Sequence, residues 1–370
     1  MGLRCAHDRG HRRVLAPRAR GSGPSREAQA TMMIGRSTAV PALALAAALT
    51  MTSLADVAGA SYRVDRSKLA DLCADALPWT DQAPLPFPAR KPRDAFGVPM
   101  VIIDGERYYR PGVLAINGMK RLDAYRDGGD VRQLQQALLQ AERLRELSLT
   151  RRGADWLPFW YDYPPARQQA PWFNAMVQGL VLSFYVRLGD MTGDPVHMAA
   201  AHRVFRSFLR EGTDRRPWIA SVDGKGFLWL EHYPERNPSH VLNAHLHALF
   251  GIYEYWQATR SVEARRVLQG AITTMRSNAV RYRRPGRLSL YDLTHGTSFP
   301  KYHAAHVWQL HLLARISGEE SFARLARQLS ADRRPTSEVP GRPARHGSRV
   351  VGPQCRPAGR GDMVATRVPQ

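Results

Sequence analysis

Aromatic and ionisable side chains concentrate in Phe227–Gly251 (FLWLEHYPERNPSHVLNAHLHALFG), where Glu231, His232 and Tyr233 follow an apolar run and precede a helix bearing His240, His245 and His247. Two other stretches have the same character. Trp156, Trp160, Tyr161, Tyr163 and Trp172 form a dense aromatic set of the kind that stacks on sugar rings, and Tyr291, Asp292 and His295 lead into Tyr302, His303 and His306. Neighbouring phenols, imidazoles and carboxylates suit proton transfer, for which a side chain must lie within hydrogen-bond reach of the moving proton. His303 and His306 are one helical turn apart and could share a metal, but no H-E-x-x-H pattern surrounds them, so neither a metal nor a cofactor is expected. His240, His245 and His247 are expected to divide between a cleft and the surface. Asp162, Glu231 and Asp292 are the carboxylates a glycosidase could use, yet they do not make a clear catalytic pair. Nucleophile-elbow, P-loop and dinucleotide-binding glycine signatures are missing from the sequence.

The elements that must position these residues follow from hydrophobic period and capping signals. Helices are predicted over Val113–Tyr125, Val131–Leu149, Trp172–Leu188, Pro195–Arg210, Val241–Gln257, Val262–Tyr282, Tyr302–Ile316 and Ser321–Leu329. Asp130, and Asp194 followed by Pro195, provide N-caps. Asp104-Gly105 marks a β-hairpin within Val98–Tyr109, and a second hairpin runs from Ile219–Val222 to Phe227–Leu230. The helices pair into four antiparallel hairpins with short internal turns, whereas the connections 151–171, 211–239 and 283–301 between hairpins are long. Each long connection precedes the first helix of a hairpin, so a ring of hairpins would place all three on one face. The fold expected is all-α: an α/α toroid, an incomplete barrel of about four helical hairpins, with small β-hairpins in the inter-hairpin loops and its cleft on the long-loop side.

Composition bounds the function classes. The formal charge is +21 over 370 residues, but residues 1–31 carry seven Arg against two acids, and 331–370 carry eight Arg against three. Each end therefore supplies +5, leaving +11 for residues 32–330. No nucleic-acid motif accompanies this charge, so an acidic substrate fits better than a nucleic acid. Residues 1–31 read as a non-native or disordered leader and 335–370 as a disordered or frame-shifted tail. Between them, 32–60 reads as a signal peptide, with Arg36, the apolar Val40–Met51 and a cleavage signature at Ala58-Gly59-Ala60. Residues 61–110 read as a proline-rich strap and β-hairpin, and 111–334 as the helical domain. Export to the periplasm, cell envelope or medium is expected, with no stable membrane span. Cys73 is the lone cysteine outside the two ends and reads as an inert thiol.

Four motifs in order, Trp172–Gly179 (WFNAMVQG), Trp229–Ala244 (WLEHYPERNPSHVLNA), Tyr291-Asp292-Leu293 and Tyr302–Leu313 (YHAAHVWQLHLL), resemble the C-terminal domain of D-glucuronyl C5-epimerases. The resemblance covers roughly 155–329. It implies an isomerase that inverts C5 of glucuronate within a heparan-type polysaccharide, giving iduronate. It also implies Tyr233 and Tyr302 as acid/base residues, Tyr291 as a neighbour that polarises the substrate, and His232 beside them. Trp172, Gln178, Glu231, Asn243, Asp292, His303 and His306 are implied as substrate-binding or supporting residues. Two positions depart from the family. His232 stands where animal members have a Glu, and Thr294 stands where the family has an Arg that would hold the substrate carboxylate. Lys301 or Arg167 is the expected replacement cation. The partner implied is an acidic polysaccharide, with homodimerisation left open. A polyuronate lyase sharing the same C5 deprotonation, and a catalytically silent glycan-binding envelope protein, are the alternatives.

Overall fold

The computed structural model describes residues 62–79, 92–212 and 216–332. The leader, the signal peptide and the tail expected at 1–31, 32–60 and 335–370 lie outside the described residues. Within them eight α-helices form four hairpins: α1 (Pro111–Gly128) with α2 (Val131–Leu147), α3 (Ala175–Thr192) with α4 (Pro195–Phe205), α5 (Leu242–Thr259) with α6 (Val262–Asn278), and α7 (Pro300–Ser317) with α8 (Glu320–Asp332). The first helix of each hairpin packs on the next, α1 on α3, α3 on α5 and α5 on α7. Among the described residues α7 and α1 form no comparable contact, so the arrangement is an incomplete α/α toroid rather than a closed barrel.

Local chemistry sets the helix ends. Gly129, Gly193 and Gly318 close α1, α3 and α7 in the left-handed region, with φ of 67°, 69° and 70°. Asp130, Asn174, Asp194 and Ser261 accept backbone N–H groups of the first turns of α2, α3, α4 and α6. The inner helices are apolar on most sides, and every residue from Leu242 to Trp256 of α5 is buried. α3 and α5 cross with their backbones in contact. A Cβ on Gly179 would lie 2.6 Å from Ala248 Cα, and one on Gly251 would overlap the Gly179 carbonyl. A buried ion pair ties the same helices together, with Arg187 Nε 2.7 Å and Nη2 2.9 Å from the two Glu254 oxygens.

Three two-stranded antiparallel sheets lie in the connections: β1 (Val101–Ile103) with β2 (Glu106–Tyr108), β3 (Leu149–Arg151) with β4 (Ala154–Trp156), and β5 (Ala220–Val222) with β6 (Leu228–Leu230). The first turns at Asp104-Gly105, both with positive φ, as the sequence predicts. The β3–β4 hairpin corrects the sequence reading, which carries a helix through Leu149 and leaves a loop after it. Its turn is Arg152-Gly153, with φ of 52° and 70°, and Arg is a weak turn signal there. Trp172 is likewise not helical; it pairs with Phe159 in an isolated β-bridge, and α3 begins three residues later. Cys73 is disulfide-bonded, which corrects its reading as an inert thiol.

The described strap, residues 62–79, is irregular apart from one 3-10 turn at Ala74–Ala76 and packs against the helices. Ala70 N–H donates to Ile316 O at 2.9 Å, Leu72 N–H to the Tyr253 hydroxyl at 2.9 Å, and Arg187 Nη2 to Pro78 O at 2.5 Å. From Ser67 onward it therefore lies across the C-terminal parts of α7, α5 and α3. Within it Trp79 stacks on His247, ring centroids 4.9 Å apart, and lies edge-on to Trp308 at 5.6 Å.

Candidate active site

The N-terminal ends of α5 and α7 and residues of the long connections before them meet around three tyrosines. Tyr233 follows β6. Tyr291 is held to the start of α5, because its carbonyl accepts the Leu242 N–H at 3.0 Å and its N–H donates to Thr297 O at 2.6 Å. Tyr302 lies in the first turn of α7. These three tyrosines, far apart in sequence, form one cluster with Val241, Ala244 and Met176. The Tyr291 and Tyr302 rings are 4.6 Å apart, and the Tyr233 and Tyr291 hydroxyls are hydrogen-bonded. Tyr163 stacks on Tyr233 at 6.1 Å and interacts with its hydroxyl.

Trp172 is the hub of the adjoining aromatic wall. It stacks face to face on Phe159 at 4.0 Å, approaches Tyr233 at 6.3 Å, and its indole N–H donates to Tyr161 O at 2.9 Å. It is buried, whereas Trp160 and Tyr163 are about 40% exposed. His232 is buried with its ring edge on Tyr233, 4.4 Å between centroids, and its Nδ1 has no hydrogen-bond partner among the described residues. Asn243 Oδ1 and His306 Nε2 are likewise buried without partners, so the cluster is backed by polar atoms with free capacity.

Burial pushes the Tyr233, Tyr291 and Tyr302 phenols above their ordinary value, so all three are protonated at neutral pH. The nearby Arg110 guanidinium works against this at Tyr302. Burial, and secondarily Arg110, push the His232 imidazole down to about 3, which keeps it neutral. A neutral His232 is a hydrogen-bonding group rather than a strong base.

Four residues singled out from sequence are placed differently. Gln178 is fully engaged: Oε1 accepts from Leu157 N–H at 2.8 Å, and Nε2 donates to Asp155 O and Ser207 Oγ, both at 2.9 Å. The Glu231 carboxylate is 0% exposed and turned toward Ser221 Oγ and His240 Nδ1, at 3.1 and 2.7 Å. Asp292 organises its own loop through His295 and Thr297. His303 spans from the Ser289 N–H to the Leu329 carbonyl, at 2.8 and 3.0 Å. The three histidines near α5 do not divide between cleft and surface. His240 is half-buried on Trp229, His245 is buried between Leu230 N–H and Ala271 O, and His247 faces the interior under Trp79. Among the described residues no group of His, Cys, Asp and Glu is arranged to hold a metal ion.

Of the cations expected to replace the Arg absent at Thr294, Lys301 sits over the Tyr302 ring, Nζ 5.5 Å from its centroid. Arg167 ends a short 3-10 turn, its backbone N–H bonded to Pro164 O. The cation that sequence reasoning missed is Arg110, at the junction of β2 and α1. Its one visible signal is its place just before a helix-starting proline at the end of a hairpin.

The described helical hairpins thus form an open toroid with three phenols and an aromatic wall gathered at one place. Residues 157–330 match the D-glucuronyl C5-epimerase C-terminus and carry that domain. A D-glucuronyl C5-epimerase of Caenorhabditis elegans is 27% identical over 177 residues, 42% of this chain and 28% of that protein, so the chain corresponds to under a third of this relative's length. Solved structures that resemble it include the cellobiose 2-epimerase of Bacillus thermoamylovorans B4167, at 9% identity and a TM-score of 0.40, covering 60% of this chain and 58% of that one. The unsaturated glucuronyl hydrolase of Streptococcus agalactiae gives 15% and 0.42, covering 59% and 57%. At such scores nothing about this chain's chemistry follows. No helix among the described residues is long and apolar enough to cross a membrane.

Proposed function

We propose that the chain is an exported polysaccharide uronate C5-epimerase, inverting C5 by proton abstraction and return. The observation that carries this reading is the meeting of Tyr233, Tyr291 and Tyr302 from three separate segments at one cleft, within a domain of the epimerase family. The C5 proton of a uronate is α to a carboxylate and only weakly acidic. Its removal needs a base on one face of the ring, stabilisation of the enediolate and an acid on the other face. Tyr302, the phenol nearest a relieving cation, is assigned as the base in its ionised form. Tyr233, whose phenol is pushed up by burial, is assigned as the acid, with Tyr291 hydrogen-bonded to it as a relay or substrate donor. His232 and Asn243 back the phenols with buried polar atoms. Export is part of the proposal and rests on the apolar stretch and small-residue signature at 40–60; the mass of the mature N-terminus checks it.

The decisive experiment incubates the protein with heparosan and other polyuronates in deuterated water. Deuterium at C5 together with the inverted uronate is the expected result. Ultraviolet absorbance from an unsaturated uronate, without inversion, would replace the epimerase with a lyase. Binding without deuterium uptake on any of the polymers would leave a glycan-binding module.

A further inference from the structure

Arg110 differs from the ion-paired arginines near its end of the molecule. Arg126 pairs with Asp123, Arg132 with Asp130, Arg143 with Asp94 and Arg203 with Asp155. No carboxylate among the described residues pairs with Arg110, although it is exposed and its charge bears on three groups of the cleft. Its guanidinium is hydrogen-bonded to the Tyr161 phenol, and its field reaches His232 and Tyr302. All three are neutral groups. A guanidinium with five donors, spending one on a phenol and facing only neutral partners, retains most of its capacity for an anion.

The placement is built rather than incidental. Arg110 is the N-cap of α1 without a side-chain cap bond, so its side chain is free of the helix while its carbonyl accepts the Val113 and Leu114 N–H groups. Two residues earlier Tyr108 meets Tyr161 edge-on, centroids 5.4 Å apart. Tyr161 in turn meets Trp172 at 6.4 Å. The β1–β2 hairpin is thereby docked on the aromatic wall, and the Tyr161 hydroxyl anchors the Arg110 guanidinium there. Lys301 lies over the Tyr302 ring on the exposed first turn of α7 and lacks the planar fork that matches a carboxylate.

We infer that Arg110 is the residue that binds the substrate carboxylate, so that the β1–β2 hairpin supplies the uronate specificity of a cleft whose phenols come from the other segments. The inference rests on the reading that a uronate occupies this cleft. As the C5 proton leaves, negative charge builds on the carboxylate oxygens, and the same contact strengthens, so Arg110 would act on turnover as well as on binding.

The test compares binding of heparosan, polyglucuronate and alginate oligosaccharides with their carboxyl-reduced, neutral counterparts, for the wild-type protein, Arg110→Gln and Arg110→Lys. The wild type should prefer at least one acidic form by about 10- to 100-fold, the range of a charge-assisted contact. Arg110→Gln should bind the neutral form as the wild type does and lose the preference to within about twofold, with Arg110→Lys between. A glutamine variant that folds and keeps the full preference overturns the inference, as does a wild type that shows no preference or binds none of the polymers. C5 deuteration is followed in parallel. If the preference depends on Arg110 but no polymer is deuterated, carboxylate recognition stands and the epimerase reading falls.

Discussion

The three phenols are chemically alike and positionally distinct, and their surroundings differ. Tyr302 has Arg110 to offset the burial that raises its phenol, while Tyr233 is deeper and hydrogen-bonded to a second phenol. Tyr302→Phe removes one hydroxyl and no ring. C5 exchange should therefore fall by about 10²- to 10⁴-fold, the usual contribution of a general base. Stability should change by about 1 kcal/mol or less, since this hydroxyl makes no hydrogen bond among the described residues. Because the base must be ionised and its phenol lies above the ordinary value, the exchange rate should climb with pH up to about 10 without a plateau. A flat profile would remove Tyr302 from the base role. At this scale the sequence was partly legible. The tyrosines fall on family motifs, whereas Gln178, Glu231, Asp292 and His303 lie on the same motifs yet spend their polar atoms on the protein itself. Residue type and spacing cannot tell a side chain turned inward from its neighbour turned to the cleft.

The α3–α5 crossing is the element on which the cleft depends, because α3 follows Trp172 and α5 carries Asn243. Gly251→Ala would drive a methyl group into the Gly179 carbonyl, a backbone atom that no rotamer change can move. The loss should reach or exceed about 3 kcal/mol, the upper range for overpacking, seen as a large drop in urea midpoint or as insoluble protein. Gly128→Ala, in the last turn of α1 with nothing within 4 Å of the added carbon, is the control and should be neutral or slightly stabilising. Helix existence and order were read from apolar period and caps, and all eight were found. The β3–β4 hairpin was not, since Arg152-Gly153 takes a left-handed turn that only the paired strands on either side make worthwhile.

Over the molecule as a whole, burial of histidine sets the response to acid. His232, His247 and His306 are pushed down to about 3 and His245 to about 4, in each case chiefly by burial, against an unfolded value of 6.5. Between these values the unfolded chain binds more protons than the folded one, so stability is fully present above about pH 6.5 and declines as pH falls toward 3. The decline should approach ~1.4 kcal/mol per pH unit for each of these histidines, measured by urea unfolding at stepped pH. His247→Phe, which keeps the stacking on Trp79 and removes the ionisation, should make the decline shallower by about one proton. An unchanged slope would place His247 outside the buried set. The ring of hairpins was legible from loop lengths. The packing of the strap against the helices was not, because an irregular segment joined through backbone atoms leaves no periodic trace.

One boundary then takes on meaning for the history of the chain. The segment shared with the epimerase family begins at residue 157 and contains all three phenols, while Arg110 and the hairpin that carries it lie ahead of it. Catalysis and substrate choice are in that case inherited on separate modules. Exchange or drift of the β1–β2 hairpin alone could retarget the cleft to a differently charged polymer while the proton-transfer groups pass unchanged from one descendant to the next.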